Sequence, residues 1–288
     1  MSQNKLTVVV TGATGKQGGA VAHALLARGH KVRAVTRDPN TKQAKLLANA
    51  GASLVKASLD DTLAIAETLE GATSLFAMTT PFGGTEAEIQ QGVAATDAAK
   101  AAEVHLVFTS VGSANKQTGV PHFDSKYEVE KHIAKIGVRA TILAPVAFME
   151  NIYFIKEQLA KGTYASALSP GRAHAQIAVA DIGAVAVRVL EDHARFTGKR
   201  FDHAGDELSG NGAMAILTRV IGRPLTYFQV PLDAVRQRMG EDAVKMYEWF
   251  ERVGFTVDRT ALRREFPDIA FQDFESWAKT QNWSDLHV

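Results

Sequence analysis

Short, largely apolar runs alternate with amphipathic stretches through the first half of this chain. The runs predict strands at Thr7 to Thr11, Lys31 to Thr36, Ser53 to Ala57, Ser74 to Met78, His105 to Ser110 and Ala140 to Leu143. Between the first two, Gly19 to Arg28 reads as a helix, with Ala20, Val21, Ala24 and Leu25 on one stripe and Gly29 as its stop. A longer alanine-rich helical pattern covers Glu86 to Ala102. Strands that alternate with helices imply an α/β fold, a doubly wound parallel sheet covered on both faces. Such sheets bind ligands beyond the carboxyl ends of their strands. The places to search are therefore Gly12 to Gly18, Arg37, Ser58 to Asp60, Thr79 to Phe82 and Ser110 to Ser113.

After Asn151 the alternation breaks down. A turn-rich Leu168 to Arg172 precedes a strand-like Ala175 to Val179 and a helix beginning near Asp181, whose carboxylate is expected to be the N-cap. Arg200 to His203 reads as another strand and Gly212 to Ile221 as a helix. The last third is rich in aromatics, among them Tyr247, Trp249, Phe250, Phe255, Phe266, Phe274, Trp277 and Trp283. The expected division is a sheet domain over residues 1–152 and a smaller, mainly helical C-terminal subdomain over 153–288. Segments near 175–205 are expected to return to the first.

Composition narrows the classes. The 288 residues are 46% hydrophobic and 22% charged, with a formal charge of +1, so nothing in the balance argues for nucleic acid or a membrane surface as partner. The absence of cysteine excludes disulfides, thiolate metal sites and a cysteine nucleophile. Histidines are scattered without ligand spacing, so no metal site is expected, and no Gly-x-Ser-x-Gly elbow suggests a serine hydrolase. Met1-Ser2-Gln3-Asn4-Lys5 leads straight into the first strand, and no apolar segment approaches the roughly 20 residues of a membrane span. A cytoplasmic location is the default expectation.

The first strand runs into Thr11-Gly12-Ala13-Thr14-Gly15-Lys16-Gln17-Gly18-Gly19. Glycines at 12, 15 and 18 let the backbone turn tightly, approach a pyrophosphate and pack the next helix on its strand. The helix start then offers free N–H groups to an anion. Gly12, Thr14, Gly15, Lys16, Gln17 and Gly18 are thus candidate cofactor-binding residues. Arg37 closes the second strand, where NAD-binding units usually place an acid for the ribose hydroxyl. An arginine there pairs with the 2′-phosphate of NADP, so the expected cofactor is NADP(H). The bland alternative is a structural turn followed by a solvated arginine.

These segments resemble the NmrA-like branch of the atypical short-chain dehydrogenase/reductases. Beyond the glycine turn, the resemblance rests on Thr36-Arg37-Asp38-Pro39, Pro145-Val146-Ala147-Phe148-Met149-Glu150-Asn151, Val179-Ala180-Asp181-Ile182-Gly183 and Ala204-Gly205-Asp206-Glu207-Leu208-Ser209. It implies a Rossmann-type, NADP-preferring domain with a small C-terminal subdomain and a cleft between them. One departure is Ala57-Ser58-Leu59-Asp60-Asp61, where relatives commonly carry a Gly-Asp pair toward the adenine. Either Ser58 or Asp60 can take that contact, and an exposed helix start at Asp60-Asp61 is equally compatible.

Ordinary short-chain dehydrogenases use Tyr-x-x-x-Lys, and this chain has His122-Phe123-Asp124-Ser125-Lys126 at the corresponding place. His122 and Lys126 share a helix face, whereas Tyr127 is off register by about 100°. The resemblance makes Lys126 a contact to the nicotinamide ribose, and imidazole chemistry near neutral pH makes His122 a candidate general acid. Otherwise His122 is simply a first-turn polar residue after Pro121. Ser110 corresponds to the serine that orients a substrate carbonyl, or else serves with Ser113 as a turn residue. Thr79, Thr80, Pro81 and Phe82 are expected to border the nicotinamide, Phe148 to Asn151 to line the cleft, and Tyr153 to close over the nicotinamide.

The resemblance leaves two function classes. One is an NADPH-dependent reductase of a small carbonyl, quinone or activated alkene. The other is a non-catalytic NADP(H) sensor that regulates a protein partner, which the missing tyrosine motivates. The partner is then either a small-molecule substrate or a regulated protein.

Overall fold

Val8, Val9 and Val10 are fully buried because both faces of their strand are covered. In the computed structural model, which describes residues 5–284, Val8 and Val10 face one helical layer and Val9 faces the other. The Met1 to Asn4 stretch that precedes the first strand lies outside the described residues.

The chain first alternates as β1 (Thr7–Val10), α1 (Lys16–Ala27), β2 (Lys31–Thr36), α2 (Lys42–Asn49), β3 (Ser53–Lys56), α3 (Thr62–Thr68) and β4 (Ser74–Ala77). It continues through α4 (Thr85–Ala101), β5 (His105–Thr109), α5 (Pro121–Ile136) and β6 (Ala140–Pro145). After β7 (Ala147–Phe148) come α6 (Lys156–Ala160), β8 (Thr163–Ser166), β9 (Ala173–Ile177), α7 (Val179–Glu191), α8 (His193–Phe196) and β10 (Arg200–His203). The remainder is β11 (Asp206–Ser209), α9 (Gly210–Ile221), β12 (Thr226–Gln229), α10 (Leu232–Met239), α11 (Glu241–Arg252), α12 (Arg259–Glu265) and α13 (Phe274–Thr280).

Among the described residues, seven strands form one parallel sheet in the order β3-β2-β1-β4-β5-β6-β10. This is the Rossmann-like doubly wound arrangement. Consecutive numbering reverses direction between β1 and β4, so a crevice opens at the carboxyl ends of those two strands. Val21 and Leu25 of α1 and Val185 and Val189 of α7 cover one face; Ala95 and Ala99 of α4 and Ile133 of α5 cover the other. The closeness of α1 and α7 depends on Gly183, where an added Cβ would lie 2.9 Å from the Ala20 carbonyl oxygen.

The strand-like Arg200 to His203 joins the sheet's edge beside β6. In contrast, β9 pairs with β7 and β11 in a separate three-stranded sheet, and β8 pairs with β12. The C-terminal aromatics are packing residues. Phe266 stacks on Phe196 in the main core, Trp249, Phe250 and Phe255 surround Phe123, and Trp277 and Trp283 pack around Tyr153.

The expected N-cap at Asp181 is corrected. The helix begins two residues earlier, and Val179 donates its N–H to both carboxylate oxygens of Glu150 at 3.1 Å. Asp181 sits inside the first turn, where its carboxylate accepts from Gln272 N at 2.8 Å and Nε2 at 3.3 Å. Burial still pushes its carboxyl above the ordinary range, with those hydrogen bonds opposing. Among the described residues no helix is long and apolar enough to cross a membrane.

Candidate functional site

Thr11 ties the two sides of the crevice together: its Oγ1 accepts from Met78 N–H at 2.9 Å and donates to Met78 O at 3.2 Å. Gly12 then turns with φ +60°, a left-handed conformation at a place where a Cβ would lie 2.5 Å from Met78 Sδ. At Gly18 a Cβ would meet Gly12 O at 2.4 Å, so the turn folds directly onto α1. Gly15 is the helix N-cap, and no side chain caps the helix there. The first-turn N–H groups thus lack intrahelical acceptors, and that turn contains no acidic residue. A start of this kind fits a pyrophosphate.

The side chains of the turn are deployed differently from one another. Thr14 is half-buried, whereas Gln17 is buried and donates through Nε2 to Thr109 Oγ1 at 2.6 Å, which anchors α1 to the end of β5. Lys16 donates to the Glu150 carbonyl at 3.1 Å and lies 4.5 Å from the Phe154 ring centroid. Burial lowers its pKa, while Glu150 opposes the shift. Phe154 is 76% exposed beside the turn. Tyr153 instead packs against Trp277 and Trp283, and its hydroxyl donates to Gln281 Oε1 at 2.8 Å. Thus it is Phe154 that the structure brings beside the turn.

Arg37, at the end of β2, is exposed and has no hydrogen-bond or ion-pair partner among the described residues. Arg33 of the same strand, by comparison, is held by the carbonyls of Thr68 and Glu70 at 2.7 and 2.6 Å. An uncapped helix start after β1 and an exposed cation past the end of the neighbouring β2 fit an anionic dinucleotide. On the adjoining loop Ser58 Oγ donates to Asp60 Oδ2 at 3.1 Å, while Asp61 is the residue that caps α3. Gln91 of α4 donates to Asp60 Oδ1 at 2.8 Å and accepts Thr80 N–H at 3.1 Å. The bonds from Gln91 and then Ser58, with the Arg37 charge, hold the Asp60 carboxyl below the usual carboxylate range.

The structure brings Thr79 and Lys126 together. Lys126 Nζ donates to Thr79 Oγ1 at 3.0 Å and to Glu88 Oε1 at 2.8 Å. His122, one turn before Lys126, has its Nδ1 2.7 Å from Asp242 Oδ1 of α11. If Nδ1 carries the proton, Nε2 is left as the acceptor.

Ser110 is buried and donates its hydroxyl to Glu130, whose other oxygen accepts from Arg200 Nε at 2.8 Å. A serine engaged in this way is not presented to a substrate carbonyl. Of the residues expected to line a cleft, Met149 is fully buried in a core with Leu159 and Trp277, and Glu150 caps α7. Cavities of about 660 Å³ beside β12 and α11 and about 550 Å³ beside β3 include neither the glycine turn, Arg37, Thr79 nor Lys126.

Sequence reasoning missed Glu88, Gln91, Phe154 and Asp242. Glu88 and Gln91 lie in a helix whose first turn is acidic, which ordinarily marks a solvated start. The usable signal was the glycine at 92, one turn beyond Glu88, which marks a close approach of another element.

The model of the NmrA-like family matches residues 4–278. Quinone oxidoreductase 2 of Escherichia coli is 30% identical over 225 residues, covering 76% of each chain. The nitrogen metabolite repression protein nmrA of Emericella nidulans is 27% identical over 248 residues, 80% of this chain and 70% of that one. The match to the NmrA-like family domain-containing oxidoreductase FrzB of Cladobotryum sp is 33% identical, covering 53% of this chain but only 49% of FrzB. Thus the chain spans about half the length of that curated relative. Among solved structures, the E. coli NADPH-dependent quinone oxidoreductase complexed with NADPH superposes with a TM-score of 0.80 at 24% identity, covering 94% of this chain and 98% of that one. NmrA, a negative transcriptional regulator, in complex with NADP gives 0.80 at 21% identity, covering 98% and 100%. At these identities the structural likeness speaks to the fold.

Proposed function

Because this chain belongs to the NmrA-like family, we propose that it holds NADP(H) across the β1/β4 crevice and reduces a small, fairly apolar carbonyl, quinone or activated alkene. The observation that carries the cofactor reading is Arg37, exposed and without a hydrogen bond or ion pair among the described residues, together with an α1 start that no side chain caps. The N–H groups after Gly15 hold the pyrophosphate and Arg37 pairs with the 2′-phosphate. Ser58 or Asp60 meets the adenine, and Thr79 and Thr80 border the nicotinamide.

The reduced nicotinamide supplies the hydride, and the protein's part is to position the acceptor and stabilise developing charge. Lys126 holds the nicotinamide ribose and contributes that positive charge. His122, with Nδ1 engaged by Asp242, would give the acceptor oxygen its proton from Nε2 when both ring nitrogens carry hydrogen, and the imidazole left would be held by Asp242. Of the relatives that align over most of their length, one is named a quinone oxidoreductase and another a repression protein, and the first supports the enzymatic reading.

A second reading, a nucleotide-sensing regulator of a protein partner, is favoured by two observations: Ser110 is buried on Glu130, and histidine stands in place of the tyrosine. NADPH oxidation against a panel of quinones, carbonyls and activated alkenes separates the two. The reductase reading expects turnover with at least one acceptor and its loss in Lys126→Ala. Nucleotide binding without any turnover contradicts it, and the sensing reading then expects partner capture that changes with NADP(H).

A further inference from the structure

We infer that Glu88 is the positioning residue for Lys126: a buried carboxylate that anchors the ammonium beside Thr79 and leaves one N–H for the nicotinamide half of the nucleotide. The inference rests on the proposed nucleotide reading and adds to it a residue that neither motif nor spacing singles out.

Glu88 stands in the first turn of α4 with no exposed surface. An ionised carboxylate there is unfavourable unless its oxygens are paired and hydrogen-bonded. They are: Oε1 accepts from Lys126 Nζ at 2.8 Å and from Thr79 Oγ1 at 3.0 Å, and Oε2 accepts from Ser125 Oγ. Thr79 gives its own hydrogen to Glu88, so its oxygen lone pair receives Lys126 Nζ at 3.0 Å. An ammonium has three donors, and Glu88 and Thr79 take two. The remaining donor belongs to a side chain that is 13% exposed at the end of β4, where the crevice opens.

Helix packing makes this contact possible. One turn beyond Glu88 is Gly92, and one turn beyond Ser125 is Val129. A Cβ on Gly92 would lie 2.3 Å from Val129 Cγ2, so only glycine admits α5 at this distance. The same ridge that brings Val129 onto Gly92 brings Ser125 and Lys126 onto Glu88. Packing alone does not require a charge here, since an apolar side chain of similar size fills such a site as well or better. The carboxylate is explained by what it holds.

The test titrates NADPH and adenosine 2′,5′-bisphosphate, which lacks the nicotinamide half, into the full chain and into Glu88→Gln. The variant keeps the shape of the side chain and removes its charge. We expect NADPH affinity to fall about tenfold, the equivalent of one charge-assisted hydrogen bond, while the fragment stays within about twofold. If Glu88→Gln does not fold, Glu88→Asp keeps the charge but withdraws it from Nζ, and the same split is expected. Equal losses for both ligands, or no loss for either, overturn the positioning role. If the unaltered protein binds neither ligand, the nucleotide reading fails and this inference fails with it.

Discussion

Gln91 spans two loops of the crevice: its side-chain amide donates to Asp60 Oδ1 at 2.8 Å while its oxygen accepts the Thr80 N–H at 3.1 Å. The bond to Asp60 favours the charged carboxylate and is the foremost reason that its pKa is lowered. In Gln91→Leu the Asp60 carboxyl should move up toward its ordinary value, as followed by NMR titration of the side-chain carboxyl. An unchanged titration would mean that Ser58 and Arg37 alone hold it down.

Gly92 sets the spacing of α4 and α5. Gly92→Ala forces a methyl group against the buried Val129, and overpacking of this kind costs about 1–3 kcal/mol. The variant should therefore melt several degrees lower. Val129→Ala makes room for the added methyl, so the double variant should be more stable than the sum of the single effects implies. Strict additivity in a denaturation-based cycle would show that the two residues do not share the contact.

Three histidines, His105, His174 and His203, make stability fall in acid, and burial, followed by the Arg172 charge, pushes His174 down to about 4. Burial first, and the neighbouring His193 and Arg139 charges after it, pushes His105 down to about 4; burial likewise pushes His203 down to about 4. Each ring titrates near 6.5 in the unfolded chain, so between about 4 and 6.5 the unfolded state binds more protons. Stability is thus complete above about 6.5 and is lost as the pH falls through that window, by up to about 3 kcal/mol for each histidine. Melting temperatures measured between about pH 7 and about pH 5 should show this decline, and His105→Gln should make it shallower. An identical decline in the variant would assign the acid sensitivity to other groups.

The glycine turn and the order of strands and helices were legible because each follows from a local rule. Burial on both faces makes a strand continuously apolar, as at Val8 to Val10, and a tight turn onto a helix demands glycine, as at Gly12 and Gly18. The strand ends were read slightly long because Thr11 and Ser110 still donate to neighbouring strands, at 3.0 and 2.7 Å, past the last ladder residue. What was not legible depends on contacts between distant segments. Asp181 has the composition of a cap, but Glu150 reaches Val179 from 29 positions away and takes that role. Ser110 looks available from its strand end, and only the fold shows Glu130 beneath it. Glu88 reads as a solvated first-turn acid until α5 is laid across Gly92.

The central claim is that the crevice selects NADP(H) through Arg37, and equilibrium titration of NADPH and NADH into the unaltered protein and Arg37→Ala tests it most directly. A charge-assisted pair with the 2′-phosphate contributes roughly 1.5–3 kcal/mol, so the substitution should weaken NADPH about tenfold to a hundredfold and leave NADH nearly unchanged. Equal weakening of both nucleotides, or an unaltered protein that binds NADH as tightly as NADPH, would contradict the account.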